Sequence, residues 1–282
     1  MAVFTLVTDP VRLTSVLVVG SSRALLVDTG SGPDQAVRIL AALRQITDLP
    51  LVVANTHDHW DHFFGNATLA EAGVTEFLAS HAFVRDSPGS AWLQHAEASE
   101  HAFDLPDPTA LAVDVRAVED GERLSLSGLQ NGDGDGPADS AVEAGDAVEF
   151  FVVSGHTDTD LAIRVGPVMI VGDLLEEGAP PQVGIDSTPV AWVRSLERLL
   201  EVPGVDVFVP GHGRPVGRGF AEAQRTDLAA FAASEDADDT DDQDALPARF
   251  AADAVPADES GAPDESHAAT DAVFGVRVTR IV

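Results

Sequence analysis

Leu51-Val52-Val53-Ala54-Asn55-Thr56-His57-Asp58-His59-Trp60-Asp61-His62 is the stretch that decides how this chain is read. Its first four residues are all apolar, the pattern of a strand covered on both faces rather than one. Three His and two Asp then follow within six residues. In an extended segment side chains alternate, so His57 and His59 project to the same side. A turn into helix after them would bring Asp61 and His62 to a point a few ångströms away. Burying so many titratable groups without a cation would be costly. Imidazole and carboxylate donors suit zinc, iron or manganese. One loop therefore offers ligands for two metals.

A dinuclear site needs more ligands than this loop supplies, and three are placed alike elsewhere. His156 follows an apolar run ending at Val153, Asp173 follows Val168–Val171, and His212 follows Val205–Val209. Each stands beside a glycine, which lets backbone come close to a metal. His81, His95, His101 and His267 share no such placement and are read as non-ligands.

The rest of the chain alternates strands and helices. Val3–Val7, Ser15–Val19 and Ala24–Val27 read as strands, followed by a helix with Asp34 as its N-cap. Further strands are expected over Ala112–Val118, Ala147–Val153, Leu161–Val165, Val168–Val171 and Val205–Val209. Helices are expected over Val190–Leu200 and Phe220–Phe231. Residues 80–110 mix His and Pro with short helical patterns and are read as a lid or substrate wall. Asn131–Gly136 looks superficially like a calcium loop, but Val142 stands where a bidentate Glu is needed, so a solvated hairpin is the better reading. These features give three segments: a catalytic domain over 1–232, an acidic disordered stretch over 233–270, and a returning edge strand over 271–282.

Composition removes several chemistries. The 282 residues hold 47 acids against 16 bases, a net charge of −31, and no Cys. Thiolate metal sites, disulfides and cysteine nucleophiles are excluded. All the bases are Arg, so lysine Schiff-base chemistry and a Walker-type phosphate loop are excluded too. Tyr is also absent. The charge argues against a nucleic-acid partner. No apolar stretch approaches the roughly 18 residues of a membrane helix, and no export signal is visible at the start, so a cytoplasmic protein without membrane contact is expected.

In this order and spacing, Asp28-Thr29-Gly30, His57-x-His59-x-Asp61-His62, Gly155-His156-Thr157, Gly172-Asp173 and Gly211-His212-Gly213 resemble the metallo-β-lactamase superfamily of metallohydrolases. The resemblance covers roughly residues 3–220. It implies an α/β fold, a four-layer αβ/βα sandwich of two mixed β-sheets flanked by helices. It also implies two divalent ions, zinc before iron or manganese. One would be held by His57, His59 and His156, the other by Asp61, His62 and His212, with Asp173 bridging both. Asp28 matches a position that supports the metal loop from behind, and Asp61 would also accept or relay a proton.

The activity implied is hydrolysis of an ester, thioester, lactone, amide or phosphodiester bond of a small molecule by a hydroxide held between the metals. The alternative is a mononuclear-iron persulfide dioxygenase of the same fold, using His57, His156 and Asp173. The retained Asp61, His62 and His212 argue against it. The missing Cys ligand, Tyr and nuclease or flavodoxin insertions argue against several other members. Trp60, Phe83 and Trp92 are candidate substrate contacts, with core packing an equal reading for Trp60. A homodimer is one reading of the assembly, with Trp192 at core or interface.

Overall fold

Two periodicities build two kinds of element. Short aliphatic runs form strands buried on both faces, while apolar residues at three- and four-residue spacing give helices that bury one side. The structure, a computed structural model, describes residues 1–9, 11–102, 104–127, 147–234, 246–250 and 270–282. The first half runs β1 (Ala2–Thr8), β2 (Leu13–Val19), β3 (Ala24–Val27), α1 (Pro33–Leu43), β4 (Leu51–Ala54), α2 (Trp60–Phe63) and α3 (Asn66–Glu71). It continues with β5 (Phe77–Ala79), α4 (His81–His101), α5 (Pro108–Leu111) and β6 (Arg116–Ala117). The second half runs β7 (Arg123–Ser125), β8 (Ala147–Val152), β9 (Leu161–Val165), β10 (Val168–Glu176), α6 (Pro189–Leu200) and β11 (Val207–His212). It ends with β12 (Val216–Gly217), α7 (Arg218–Ala232), β13 (Thr270–Val273) and β14 (Val276–Arg280).

The strands form one hydrogen-bonded path, β6-β5-β4-β3-β2-β11-β10-β9-β8-β7, with β1 on β2 and β14 on β1. Strands β3 to β6 run parallel, as do β10 and β11, while β2–β3 and β7 to β10 pair antiparallel. The two halves of this path join where β2 meets β11, with Leu13 opposite His212. Between the halves, Val16, Val18, Leu25, Val27 and Val52 pack on Val148, Phe150, Ile163, Ile170 and Val209. Outside the first half, Ile39, Leu43 and Leu69 cover Leu17, Leu26 and Val53. Outside the second, Trp192, Leu196, Leu199 and Leu228 cover Phe151, Met169 and Phe208. Helices, sheet, sheet and helices make the αβ/βα sandwich that the resemblance implied. Among the described residues no helix is long and apolar enough to cross a membrane.

Several elements differ from the sequence reading, for local reasons. Gly32, not Asp34, caps α1, with Pro33 in its first turn, and Asp34 instead pairs with Arg38 one turn on. Most of residues 80–110 form one 21-residue helix rather than small pieces, with the short α5 beginning at Pro108. Ser80 caps it by accepting from the Phe83 amide, and Pro88 removes one donor without ending it. The strand expected over Ala112–Val118 shrinks to β6, which follows the helix turn that Asp107 caps and Pro108 begins. Strand β10 runs five residues past Val171, so Asp173 lies within a strand. Within the stretch read as disordered, Leu246 is buried against the α6–α7 layer and Arg249 pairs with Asp227. The calcium-like Asn131–Gly136 segment lies outside the described residues.

The loop that carries His156 leans directly on α6. A Cβ at Gly155, where φ is 142°, would overlap the backbone of Trp192. Gly155→Ala should lower unfolding stability by more than about 2 kcal/mol in urea titration, because backbone cannot yield as a side chain can.

Candidate metal centre

Strand ends bring the ligating residues together. His57 and His59 follow β4, and His59 is the N-cap of α2 in extended conformation at ψ 143°. Asp61 and His62 therefore stand in the first helical turn, one step round from the two His before them. His156 arrives from the loop between β8 and β9, Asp173 from within β10, and His212 as the last residue of β11. Two glycines make the convergence possible. A Cβ at Gly211 would overlap Asp173 Oδ1, and a Cβ at Gly172, where φ is 53°, would come within 2.7 Å of Thr56 Oγ1.

Two pockets result, side by side. His57, His59, His156 and Asp173 place one donor atom each within 4.8 Å of one another, and Asp61, His62 and His212 do likewise. Asp173 faces both: its Oδ2 lies 3.6 Å from His57 Nε2, 3.5 Å from His156 Nε2 and 3.5 Å from His212 Nε2. Its Oδ1 is 3.3 Å from His62 Nε2. Asp61 Oδ2 stands 3.2 Å from His212 Nε2.

Partners behind the rings decide which nitrogen carries the proton. His212 Nδ1 donates to the Val11 carbonyl at 2.8 Å, and His62 Nδ1 donates to Asp28 at 2.8 Å. His59 Nε2 donates to Asp186 at 2.9 Å. The Thr56 hydroxyl donates to Asp28 at 2.8 Å and so accepts from His57 Nδ1 at 3.0 Å. When neutral, each of these four rings consequently turns a lone pair inward. The inward nitrogens of His62 and His212 are 3.4 Å apart, and those of His59 and His156 are 3.0 Å apart. Asp28 occupies left-handed backbone at φ 60°, a strained place for a residue with a Cβ, while its carboxylate holds both Thr56 and His62.

The electrostatics ask for positive charge at the centre. Burial opposes charge on Asp173, yet His62, His212 and His57 outweigh it and hold the carboxyl well below its ordinary range. Asp61 settles at about 2, with burial again opposing and His62 and His212 prevailing. Burial also opposes protonation of His62 and His212, but Asp173 first, then Asp61 and Asp28 for His62 and Glu176 for His212, lift both well above the usual imidazole value. Burial and then His62 push His57 far down, and burial and then His59 push His156 to about 4. Without a cation, protons on two rings must stand between the carboxylates. His57 Nε2 and Asp173 Oδ1 are buried with no hydrogen-bond partner. Orphaned inward atoms, inward lone pairs and ionised carboxylates together fit divalent cations bound by nitrogen and oxygen.

Further residues around the centre have no motif in the sequence. Asp186 holds His59 from a turn 127 residues away, and Ser187 Oγ donates to the His156 carbonyl. Asp160 accepts from the His156 and Thr157 amides, and burial raises its carboxyl to about 7. Glu176 forms a third donor group with Asp173 and His212, and burial pushes it up to about 8. The expected substrate contacts fare differently. Phe83 is buried against Phe63 beneath α4, because it lies on the helix's inward face, so it is not open to substrate. Trp60 is also buried and stacks on His101 at 5.4 Å, the packing reading of the two. Trp92 is exposed on α4. His81 pairs with Glu119, His95 meets the Pro106 carbonyl, and His267 lies outside the described residues.

Two outcomes follow from these partners. Asp186→Asn weakens the acceptor behind His59 and should reduce affinity for the first metal by about 10–100-fold, read by competition with a chromogenic chelator. Glu176 is raised in the fold above its unfolded value, so the chelated chain should lose stability as pH climbs from the ordinary glutamate range towards 8. Glu176→Gln should therefore raise the Tm of chelator-treated protein at pH 9 but not at pH 4, with calorimetry as the check.

Comparison with known proteins agrees with this architecture. The profile of the metallo-beta-lactamase superfamily matches residues 8–212. A linear primary-alkylsulfatase of Pseudomonas sp. (strain ATCC 19151) is 27% identical over 214 residues, 68% of this chain. The chain spans 40% of that enzyme's length. TTHA1623, solved in a di-iron-bound form, superposes with a TM-score of 0.58 at 26% identity, covering 77% of this chain and 96% of its own. A metallo-beta-lactamase from Pontibacter korlensis superposes with a TM-score of 0.59 at 17% identity, covering 81% and 95%. FIM-1 from Pseudomonas aeruginosa, in a mono-zinc form, gives 0.58 at 16% identity, covering 79% and 85%. With its strand-end histidines, its αβ/βα layers and a match over most of its length, this chain belongs to the metallo-β-lactamase superfamily.

Proposed function

We propose that the chain is a dinuclear metallohydrolase that cleaves an ester, thioester, lactone, amide or phosphodiester bond of a small molecule with water. The observation that carries this reading is the second pocket: Asp61, His62 and His212 are gathered as closely as His57, His59 and His156, with Asp173 between the two sets. A single-iron oxygenase would need only one of these pockets. Two divalent cations held there would lower the pKa of a shared water towards 7 and polarise the oxygen on which negative charge develops.

The chain's own residues do the rest. Asp28 and Thr56 fix the rings of His57 and His62, so neither can rotate to present N–H inward. Asp186 does the same for His59, and the Val11 carbonyl for His212. Asp61 stays ionised and can accept or pass on the proton released as water attacks. The alkylsulfatase relative adds a sulfate ester to the bonds worth testing, and the di-iron neighbour keeps iron beside zinc and manganese among the metals.

Metal-depleted protein reloaded with zinc, iron or manganese should hold two ions per chain and turn over at least one substrate from a panel of these bond types. Asp173→Ala should drop turnover to the rate of the chelated chain while circular dichroism stays unchanged. Full activity in that variant, or in chelated wild-type protein, would contradict the proposal. One iron per chain with oxygen uptake on a persulfide would favour the dioxygenase instead.

A further inference from the structure

We propose that Arg12 and Arg214 form a cationic fork beside the second metal pocket that binds an oxyanion of the substrate, a carboxylate, phosphate or sulfate. The inference rests on the hydrolase reading above and names the class of molecule that site would take. Both arginines are tied to the backbone around His212. Arg12 follows Val11, whose carbonyl accepts from His212 Nδ1, and its own carbonyl accepts from the Gly213 amide at 3.4 Å. Arg214 stands two residues beyond His212. Glu177, whose amide donates to the His212 carbonyl at 3.3 Å, lies between the two side chains. Its carboxylate is 2% exposed, accepts from the Arg214 amide at 2.9 Å and guanidinium at 3.1 Å, and has Arg12 Nη2 at 3.6 Å.

That arrangement holds two guanidiniums on one buried carboxylate and leaves the trio with a formal charge of +1. The arginine side chains remain 44% and 61% exposed. Each guanidinium presents five donors in a fixed plane, and those not spent on Glu177 are the geometry that oxyanions accept two at a time. The fork lies at a pocket that reaches the surface: of its ligands, His212 and Asp61 are 16% and 12% exposed. Arg12 also adopts left-handed backbone at φ 56°, where glycine or asparagine would serve the hairpin at less strain. In a chain of net charge −31, most of the surface repels an anion. A local cationic feature beside the pocket is what would draw one in and orient it.

The test is calorimetric titration of zinc-loaded full-length protein with sulfate, phosphate and acetate, using wild type, Arg12→Gln and Arg12→Gln/Arg214→Gln, with zinc content measured on each. At least one anion should bind wild type, and its affinity should fall about tenfold in the double variant with two zinc ions retained. Arg12→Gln alone, which leaves both Arg214 bonds to Glu177 in place, should show an intermediate loss. Equal affinity in Arg12→Gln and wild type would overturn the proposal, as would no anion binding by wild type. Loss of zinc in parallel with the anion would also overturn it, since the arginines would then act by holding His212. These readouts do not need turnover, so failure of the fork and failure of the hydrolase reading are separable.

Discussion

Inward-facing imidazole lone pairs and two ionised carboxylates share one largely buried volume, and that mutual repulsion and attraction governs everything around it. Such a volume is stable only with positive charge inside it. Donors and acceptors behind the rings exist to keep the lone pairs aimed at it. Asp28 is the centre of that support, since one carboxylate holds the Thr56 amide, the Thr56 hydroxyl and the His62 ring. Its left-handed backbone is a local cost the surrounding sheet sustains.

The architecture explains why the ligands can be so far apart in the chain. Two half-sheets meet face to face over an aliphatic core, and along their path they are joined where β2 meets β11, with Leu13 opposite His212. The seam between the halves is thus also a wall of the metal centre. Ligands from β4 and its loop come from one half, and those from β8 to β11 come from the other. Packing of the core and geometry of the site are therefore one problem, which is why Gly155, Gly172 and Gly211 leave no room for a methyl group.

What could be read beforehand was what depends on local spacing. The His57-to-His62 loop was legible because alternation in extended chain and one helical turn fix relative direction without knowledge of the fold. His156, Asp173 and His212 were legible through one rule, a polar ligand at an apolar strand's end, although β10 runs past Asp173. Asp186, Asp160 and Glu176 were not, because each acts through proximity created by tertiary packing and none sits in a patterned segment. Phe83 misled for the same reason. Its place in the 80–110 segment suggested a surface, but the face it occupies on α4 is set by contacts with α2 and its flanking loop. Pro88 suggested broken pieces where a capped helix tolerates the loss of one hydrogen bond.

Anomalous diffraction from crystals of metal-loaded protein tests the central claim most directly. The account predicts two peaks per chain, one enclosed by His57, His59 and His156, the other by Asp61, His62 and His212, with Asp173 in contact with both. A single peak, or density for a metal bound elsewhere while these side chains hydrogen-bond to one another, would contradict it.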